Sequence, residues 1–467
     1  MFIGRNNELE QLERLYQDNK FQCIIIWGRR RVGKTTLINE FIKDKEAIYF
    51  MATDTTPQEN LISFSDSIAS INEVLSFNAP VYQSYEQALN AICEMSLQKQ
   101  LVLVIDEYPY LAKSYKPISS ILQKLIDLRL KKDSKLFIIL CGSAMSFMEK
   151  QVLGYQSPLY GRRTGQLQIM PFDFYEYKHY FQHFTNEDLA LVYGITGGIP
   201  HYMSFFNDKL SIKENIIKNF LLPSGYLLEE PENLLQQEMR QPAIYNAIIK
   251  AIANGSSKNA EICSKVGLES SAAANYLDKL LELGIIMKET PIGSKESRKS
   301  IYTIKDNLFR FWYRFIPNNI ALIQRGKAEN AWNNIEGLLG NYMGKVFEDI
   351  CRDYLWQQYD NLPCAFQEIG RWRGPNPQLK RQEELDIVAA NADSAIVAEC
   401  KWRNEKTDYD VVETLLLRAK LLPYKHLYYY VFSKSGFTSR CTKLAQEQNV
   451  KLISYAEMVG DVGVQPN

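Results

Sequence analysis

Between Cys23 and Phe41 the chain reads CIIIWGRRRVGKTTLINEF. Gly28, Gly33, Lys34 and Thr35 fill the fixed positions of GxxxxGK[ST], a turn whose chemistry is phosphate binding. The two glycines let the backbone curl until its N–H groups point inward at an anion. A helix starting at the end of the turn adds partial positive charge at the same spot. Lys34 reaches the β- and γ-phosphates of a nucleotide, and the Thr35 hydroxyl ligates the accompanying Mg²⁺. The pattern assigns Gly28, Arg29, Arg30, Arg31, Val32, Gly33, Lys34, Thr35 and Thr36 to a nucleotide cradle. The context agrees. Cys23–Trp27 is a short apolar run of the kind buried on both faces of a sheet, and Leu37, Ile38 and Phe41 follow at helical spacing.

Two further sets of residues carry chemistry. In LVLVIDEY, Asp106 and Glu107 stand right after an apolar run, about 70 residues beyond the glycine turn. Asp106 is expected to hold Mg²⁺, and Glu107 to act as general base on an attacking water. An acidic pair at any solvent-facing strand end is the competing reading. Ser143, after LFIILCG, is open to two readings: a hydrogen bond to the γ-phosphate or water, or a turn serine. Far downstream, Glu384-Leu385-Asp386 lies on one predicted strand and Glu399-Cys400-Lys401 ends the next. If the strands are antiparallel neighbours, Asp386 and Glu399 converge, with Lys401 beside them. Two such carboxylates can bind Mg²⁺ or Mn²⁺ and activate a water for phosphodiester attack, with Glu348 as a third ligand. The competing reading is an Asp386–Lys401 ion pair at a strand edge. Arg371, Trp372, Arg373, Lys380, Arg381, Trp402 and Arg403 are either the lining of a nucleic-acid groove or arginines snorkelling on an apolar rim.

The elements that must position these residues fall into four regions. Residues 1–170 alternate amphipathic helices with apolar strands at Cys23–Trp27, Ala47–Ala52, Leu101–Ile105, Leu136–Cys141 and Gln166–Met170, which predicts a parallel sheet covered on both faces. Residues 171–238 read as a helical lid: PFDFYEYKHYFQHF, NEDLALVYGITGGIPHYMSFF and SIKENIIKNFLL. Residues 239–320 read as a winged helix, with helices at Ile244–Ala253, Ala260–Val266 and Ser270–Leu283, then strands Ile285–Glu289 and Ser300–Ile304 around a Gly/Ser/Lys turn. Its third helix offers Ser270, Ser271, Asn275 and Lys279 beside Asp278 and Glu282, and its wing offers Lys295, Arg298 and Lys299. DNA contact and a spacer role are both open. Residues 335–467 form a separate mixed α/β domain. It holds a helix through YMGKVFEDICRDYLWQQY, strands at Phe366–Ile369, Glu384–Ala389 and Ala395–Glu399, a helix at Tyr409–Lys420, a strand at Leu427–Phe432, a helix at Ser439–Gln448 and a strand at Lys451–Tyr455.

A chain of 467 residues exceeds one core. Its 54 Lys+Arg balance 54 Asp+Glu, so any binding to nucleic acid must come from local patches. The eight cysteines are scattered without a CxxC pair and read as free thiols of a reducing cytoplasm. MFIGRNNELEQL does not read as a signal peptide, and no apolar run is long enough to span a bilayer. The tail GDVGVQPN is expected to fray.

Taken together, IGRNNELEQL at Ile3–Leu12, the glycine turn, the DE pair, PLYGRRTGQLQIMPF and GGIP resemble archaeal-type ATPases of the STAND class, related to AAA+ proteins. The resemblance covers roughly residues 1–320. It implies that Ile3, Gly4 and Arg5 lie near adenine, that Pro200 ends a GxP element of the lid, and that Arg162 or Arg163 senses the γ-phosphate. The C-terminal region resembles the PD-(D/E)xK nuclease superfamily: Asp386, Glu399 and Lys401 meet D…ExK, Glu348 matches a helical Glu of some members, and Leu385 stands where the superfamily has Pro. The whole is therefore expected to be a multidomain α/β protein: a P-loop NTPase sheet with helical lid, a winged helix and a restriction-endonuclease-like domain. Expected cofactors are ATP and Mg²⁺. The expected function is ATP hydrolysis that regulates DNA processing. The alternative is a nucleotide-dependent signalling or DNA-binding switch with a silent C-terminal docking domain. DNA and a homo-oligomeric or other protein partner are the candidate partners, with no membrane.

Overall fold

In the computed structural model, residues 2–71, 81–293 and 300–460 are described. The wing residues Lys295, Arg298 and Lys299, and the tail from residue 461, lie outside them. The chain divides into two compact units, Met1–Pro171 with Ile199–His201, and Phe172–Gly198 with Tyr202–Asn467.

In the first unit five strands, β1 (Gln22–Trp27), β2 (Ala47–Met51), β3 (Leu101–Asp106), β4 (Leu136–Gly142) and β5 (Gly165–Gln168), form a sheet in the order β2-β3-β4-β1-β5. Every pairing is parallel. All residues of β1, β3 and β4 are buried, as continuous apolar runs require in a sheet covered on both sides. Alternate side chains serve the two faces. Ile24, Ile26, Val104 and Ile139 pack with Leu12, Leu37 and Phe41 of the helices Asn6–Gln17 and Lys34–Ile42. Ile25, Leu103, Ile105 and Leu140 pack with Leu61, Phe64, Leu89 and Ile92 of the helices Pro57–Ala69 and Tyr85–Gln98.

The second unit begins with a stretch that is less helical than PFDFYEYKHYFQHF predicts. The helix covers only Phe174–Tyr177, started by an Asp173/Glu176 capping box. Beyond it the backbone N–H groups of Gln182 and His183 donate to Asp208 Oδ2 at 2.8 and 3.0 Å, which draws the chain out of the helical path. The helix Asn186–Thr196 ends at Gly197 in the left-handed conformation. At Gly198, a Cβ would stand 2.0 Å from the Phe172 carbonyl oxygen, so only glycine fits. Helices Pro242–Ala253, Asn259–Val266 and Ser270–Glu282 precede the antiparallel pair β6 (Ile286–Glu289) and β7 (Ile301–Ile304). The aromatic helix Asn307–Phe315 and the helices Ile320–Gln324 and Ala328–Glu336 then fill a stretch in which the sequence pattern predicts no element.

The last part is the helix Leu339–Gln357 and a five-stranded sheet, β8 (Glu368–Asn376), β9 (Arg381–Ala390), β10 (Ser394–Lys401), β11 (His426–Ser433) and β12 (Val450–Ser454). The sheet order is β12-β11-β10-β9-β8, antiparallel over β8-β9-β10 and parallel over β10-β11-β12. β8 runs well beyond the predicted strand at 366–369. A register shift between Gly370 and Trp372 hides its alternation and carries GRWRGPN into the sheet. Among the described residues no helix is long and apolar enough to cross a membrane.

Asp353, on the Leu339–Gln357 helix, accepts from the Phe174 backbone N–H at 3.1 Å and the Tyr193 hydroxyl at 3.0 Å. Burial pushes its carboxyl up to about 7, the two hydrogen bonds opposing only in part. The folded state thus holds a proton that the unfolded chain releases above about pH 4, so Asp353 costs stability as pH rises from about 4 to 7, roughly 4 kcal/mol in all. In denaturant titrations Asp353→Asn, which keeps both acceptor contacts, should gain on the parent as pH rises through this window. Parallel pH profiles for the two chains would refute the assignment.

Candidate active site

The glycine turn leaves the carboxyl end of β1 and leads into the helix Lys34–Ile42. Its backbone takes positive φ at Gly28 (154°), Arg31 (74°) and Gly33 (90°), a curl that directs N–H groups into one concavity. A Cβ on Gly28 would lie 2.4 Å from the Ile169 carbonyl oxygen, so the close approach of the chain after β5 demands glycine there. Lys34 is buried, and its Nζ donates to the carbonyls of Gly28 and Arg29 at 2.9 Å each. Burial lowers its pKa, while Glu107 and Asp106 act in the opposite sense. The lysine is thus held across the concavity by two neutral carbonyls, partners that a phosphate oxygen outcompetes.

Asp106 ends β3 and is 2% exposed. Its Oδ2 accepts from the Thr35 hydroxyl at 2.9 Å and the Tyr49 hydroxyl at 2.6 Å, and its Oδ1 from the Glu107 N–H at 2.9 Å. Burial, then the bond to Asp106, raises the Tyr49 pKa. Glu107 takes the left-handed conformation, φ 50°, which costs a non-glycine residue about 1 kcal/mol. Both of its carboxylate oxygens accept from Ser143 Oγ at 3.0 Å. So Ser143 lies against Glu107. A hydroxyl and a carboxylate at this edge fit Mg²⁺, which takes few protein ligands and keeps waters and phosphate oxygens.

Arg5, also left-handed, is 4% exposed; it donates to the carbonyls of Val32 (3.1 Å) and Met170 and pairs with Glu8. It ties the segment after Ile3 and Gly4 to the glycine turn. Pro200 also stands at the turn: its Cγ is 3.7 Å from where a Cβ on Gly33 would be, and the His201 N–H points to the Arg31 carbonyl. Arg162 and Arg163 are not brought to this edge. The chain pairs Thr164 with Cys23 at the amino end of β1, roughly 13 Å of strand away from the turn. There Arg162 grips Asp127 through Nε and Nη2, and Arg163 donates to the Leu153 carbonyl. Sequence reasoning missed Tyr49 and the clamp made by Arg5. Nothing in AIYFM marks one tyrosine as facing an acid two strand positions from its own register partner.

The second cluster lies in the C-terminal sheet. Asp386 and Glu399 stand opposite each other, one step beyond the last β9–β10 pair, Ile387 with Ala398. Asp386 Oδ2 accepts from the Cys400 N–H at 2.9 Å. Lys401 Nζ bridges Glu399 (2.5 Å) and Asp386 (3.6 Å), and Arg418 joins Glu399 and Glu383 at 2.9 Å each. Burial, then the Asp386 charge, raises the Glu399 pKa. Burial lowers that of Lys401, yet Glu399 and Asp386 outweigh it and the net shift is upward. Glu348 pairs with Arg371, Lys345 and Arg352. Burial raises its pKa in spite of those cations. Each carboxylate is therefore already matched by a cation. Among the described residues no three His, Cys, Asp or Glu side chains are grouped to hold a metal. A divalent ion there would have to displace Lys401 from Asp386 and Glu399.

Of the other basic and aromatic residues, Arg373 pairs with Glu384 and Arg381 with Glu383. Trp402 is largely buried against Phe347 and Tyr455, and Lys434 Nζ lies over its ring. On the Ser270–Glu282 helix, Ser270 accepts from Asn259 and Lys279 pairs with Glu282.

A five-stranded parallel sheet with this turn after β1 and an Asp-Glu pair after β3 defines a P-loop ATPase domain. Residues 2–206 match a family described as an ATPase domain predominantly from Archaea. Residues 312–412 match a family of "Archaea bacterial proteins of unknown function". The uncharacterized protein MJECL04 of Methanocaldococcus jannaschii is 33% identical over 416 residues, 88% of this chain and 89% of its own length. The chain belongs to the family of this archaeal protein. The uncharacterized ATP-binding protein MJ0423 of the same organism is 54% identical over 46 residues, 10% of this chain and 78% of that one. Among solved structures, the Walker-type ATPase PABY2304 of Pyrococcus abyssi is similar with a TM-score of 0.51 at 20% identity, over 67% of this chain and 96% of that one. That likeness is one of fold.

The Ser143–Glu107 contact gives a test. For an ATPase in which the hydroxyl aims Glu107 and does not touch the γ-phosphate, Ser143→Ala lowers kcat about tenfold and leaves KM within about twofold, with Ser143→Thr restoring turnover. Unchanged turnover in Ser143→Ala would remove Ser143 from the site.

Proposed function

We propose that the chain binds ATP with Mg²⁺ at the turn of residues 28–36 and hydrolyses it. The observation that carries this reading is the convergence of Lys34, Thr35, Asp106, Glu107 and Ser143 at one edge of the sheet. In it, the turn's N–H groups and Lys34 bind the phosphates. Thr35 and Asp106 hold Mg²⁺, which when bound supplies charge neutralisation on the phosphates. Glu107, held by Ser143, accepts the proton of the attacking water. Arg5 fixes the turn from behind through Val32. Pro200 covers it beside Gly33 as the end of the GxP element, with Ile3 and Gly4 near the base. Arg162 and Arg163, at the far strand ends, have no part in this within one chain.

Calorimetry and phosphate release test it. Lys34→Ala should lose ATP–Mg²⁺ binding while melting like the parent. Glu107→Gln should keep binding and lose roughly 10²–10³ in kcat. A Lys34→Ala chain that binds as tightly as the parent, or a Glu107→Gln chain with full turnover, defeats the proposal.

We infer for the second unit a lid over 171–238, a winged helix over 239–320 and a PD-(D/E)xK-like domain over 335–467. The order helix, β8-β9-β10, helix Tyr409–Ala419, β11 supports the last of these. Between cleavage and docking, the pairing of Asp386, Glu399 and Glu348 with Lys401, Arg418 and Arg371 favours a silent docking domain that ATP regulates. In that role Lys401 is structural: Lys401→Met leaves Glu399, 2% exposed, with Arg418 alone and Asp386 without a cation, and should destabilise by about 2 kcal/mol in denaturant titrations. Plasmid incubated with the parent chain, Mg²⁺ or Mn²⁺, and ATP should stay intact. A Lys401→Met chain of parental stability, or nicking by the parent that this variant loses, would return the domain to the nucleases.

A further inference from the structure

An open groove of about 440 Å³ runs between the helix end at Ala253, β7, and the basic side chains of Arg310, Lys345, Arg371 and Arg373, all within the second unit. Four cations line it and, among the described residues, no carboxylate does. Their acidic partners are not among the lining residues. Arg310 pairs with Asp349, Lys345 with Glu289 and Glu348, and Arg371 and Arg373 with Glu384. Of these carboxylates Glu289 and Glu348 are only 10% and 12% exposed, while Asp349 and Glu384 are 30% and 36% exposed. Three of the four cations are guanidiniums, whose planar forks suit phosphate oxygens. Among the described residues two donors at the wall have no hydrogen-bond partner, Arg371 Nε and Thr303 Oγ1. Tyr302 supplies an aromatic face beside them. The chain as a whole has no net charge, so this one-signed lining is a local feature and not part of a basic surface.

We propose that this groove binds the phosphodiester backbone of a nucleic acid, with Arg373, Arg371, Lys345 and Arg310 on successive phosphates and Tyr302 against a base or sugar. The proposal names a partner class for the docking reading of the second unit and rests on it. It does not need the ATPase reading, since the site is built without the nucleotide turn.

The test uses the full chain without nucleotide and with EDTA, so neither hydrolysis nor cleavage enters. Anisotropy of labelled oligothymidylate and oligouridylate of equal length is read at two salt concentrations. Binding of either should weaken with salt, with a slope of about −0.7 in log K per phosphate contacted. Arg373→Glu and Lys345→Glu should each raise Kd at least about tenfold and flatten that slope, while Lys425→Glu, outside the groove, stays within about twofold. Whichever oligonucleotide binds more tightly identifies the natural polymer. Arg373 is 38% exposed, so its variant carries the test should Lys345→Glu melt early. Parental affinity in Arg373→Glu, equal weakening in Lys425→Glu, or displacement by polyglutamate as readily as by oligonucleotide would each overturn the proposal. Plasmid nicking separates the failure of the docking reading from the failure of this one.

Discussion

A carboxylate withdrawn from water must find its compensation inside the protein, and Asp106 governs the first unit in this way. It is 2% exposed and is met by hydroxyls from Thr35 and Tyr49 and by the N–H of Glu107. Those donors come from the start of the helix after β1, from β2, and from the residue after β3. Only a sheet in which β2 flanks β3, with Tyr49 set against Val104, brings all three to one oxygen pair. The same contacts place Lys34 and Glu107 around a single concavity. Burial of Asp106, the order of the strands and the geometry of the phosphate turn are therefore one constraint seen from three sides.

The second unit solves the same problem differently. Asp353 is met by a hydroxyl and a backbone N–H there too, but the acids around the C-terminal sheet are answered by long basic side chains. Lys401 and Arg418 meet Glu399, and Arg371, Lys345 and Arg352 meet Glu348. The β9–β10 hairpin that brings Asp386 opposite Glu399 is packed on an apolar layer of Leu385, Val388, Val397, Val412 and Leu415. Such a cluster is rigid and electrically closed. An arrangement built to take up a metal ion would leave its carboxylates in excess. The cations beside β7 and β8 are matched by carboxylates as well, but among the described residues the cations alone line the groove there.

Much was legible in the residues, for stated reasons. Uninterrupted apolar runs at Cys23–Trp27, Leu101–Ile105 and Leu136–Cys141 permit only strands buried on both faces, and the structure has them as β1, β3 and β4. Gly267, left-handed after Val266, marks a helix end that any backbone needs there. The meander over residues 384–389 and 395–399 was legible because alternation and a tight turn are local signals. The full length of β8 was not, because its bulge between Gly370 and Trp372 breaks the period of two. The aromatic stretch over residues 174–184 reads as helical because its spacing is helical. Its path is set instead by Asp208, which takes the N–H groups of Gln182 and His183 from 26 and 25 positions further along the chain.

What the sequence determined by itself is the chemistry that spacing fixes: a glycine turn ahead of a helix, an acidic pair at a strand end, and Glu399 and Lys401 on one face of a strand. Local backbone geometry enforces those relations wherever the chain goes. What only the tertiary structure decided is which partner each charge meets. Tyr49 on Asp106, Ser143 on Glu107, Arg162 on Asp127 and Arg418 on Glu399 all join residues 19 to 57 positions apart. Charged and polar side chains carry no periodic signal of their partner, because a hydrogen bond is chosen by distance in space after the apolar layers have packed.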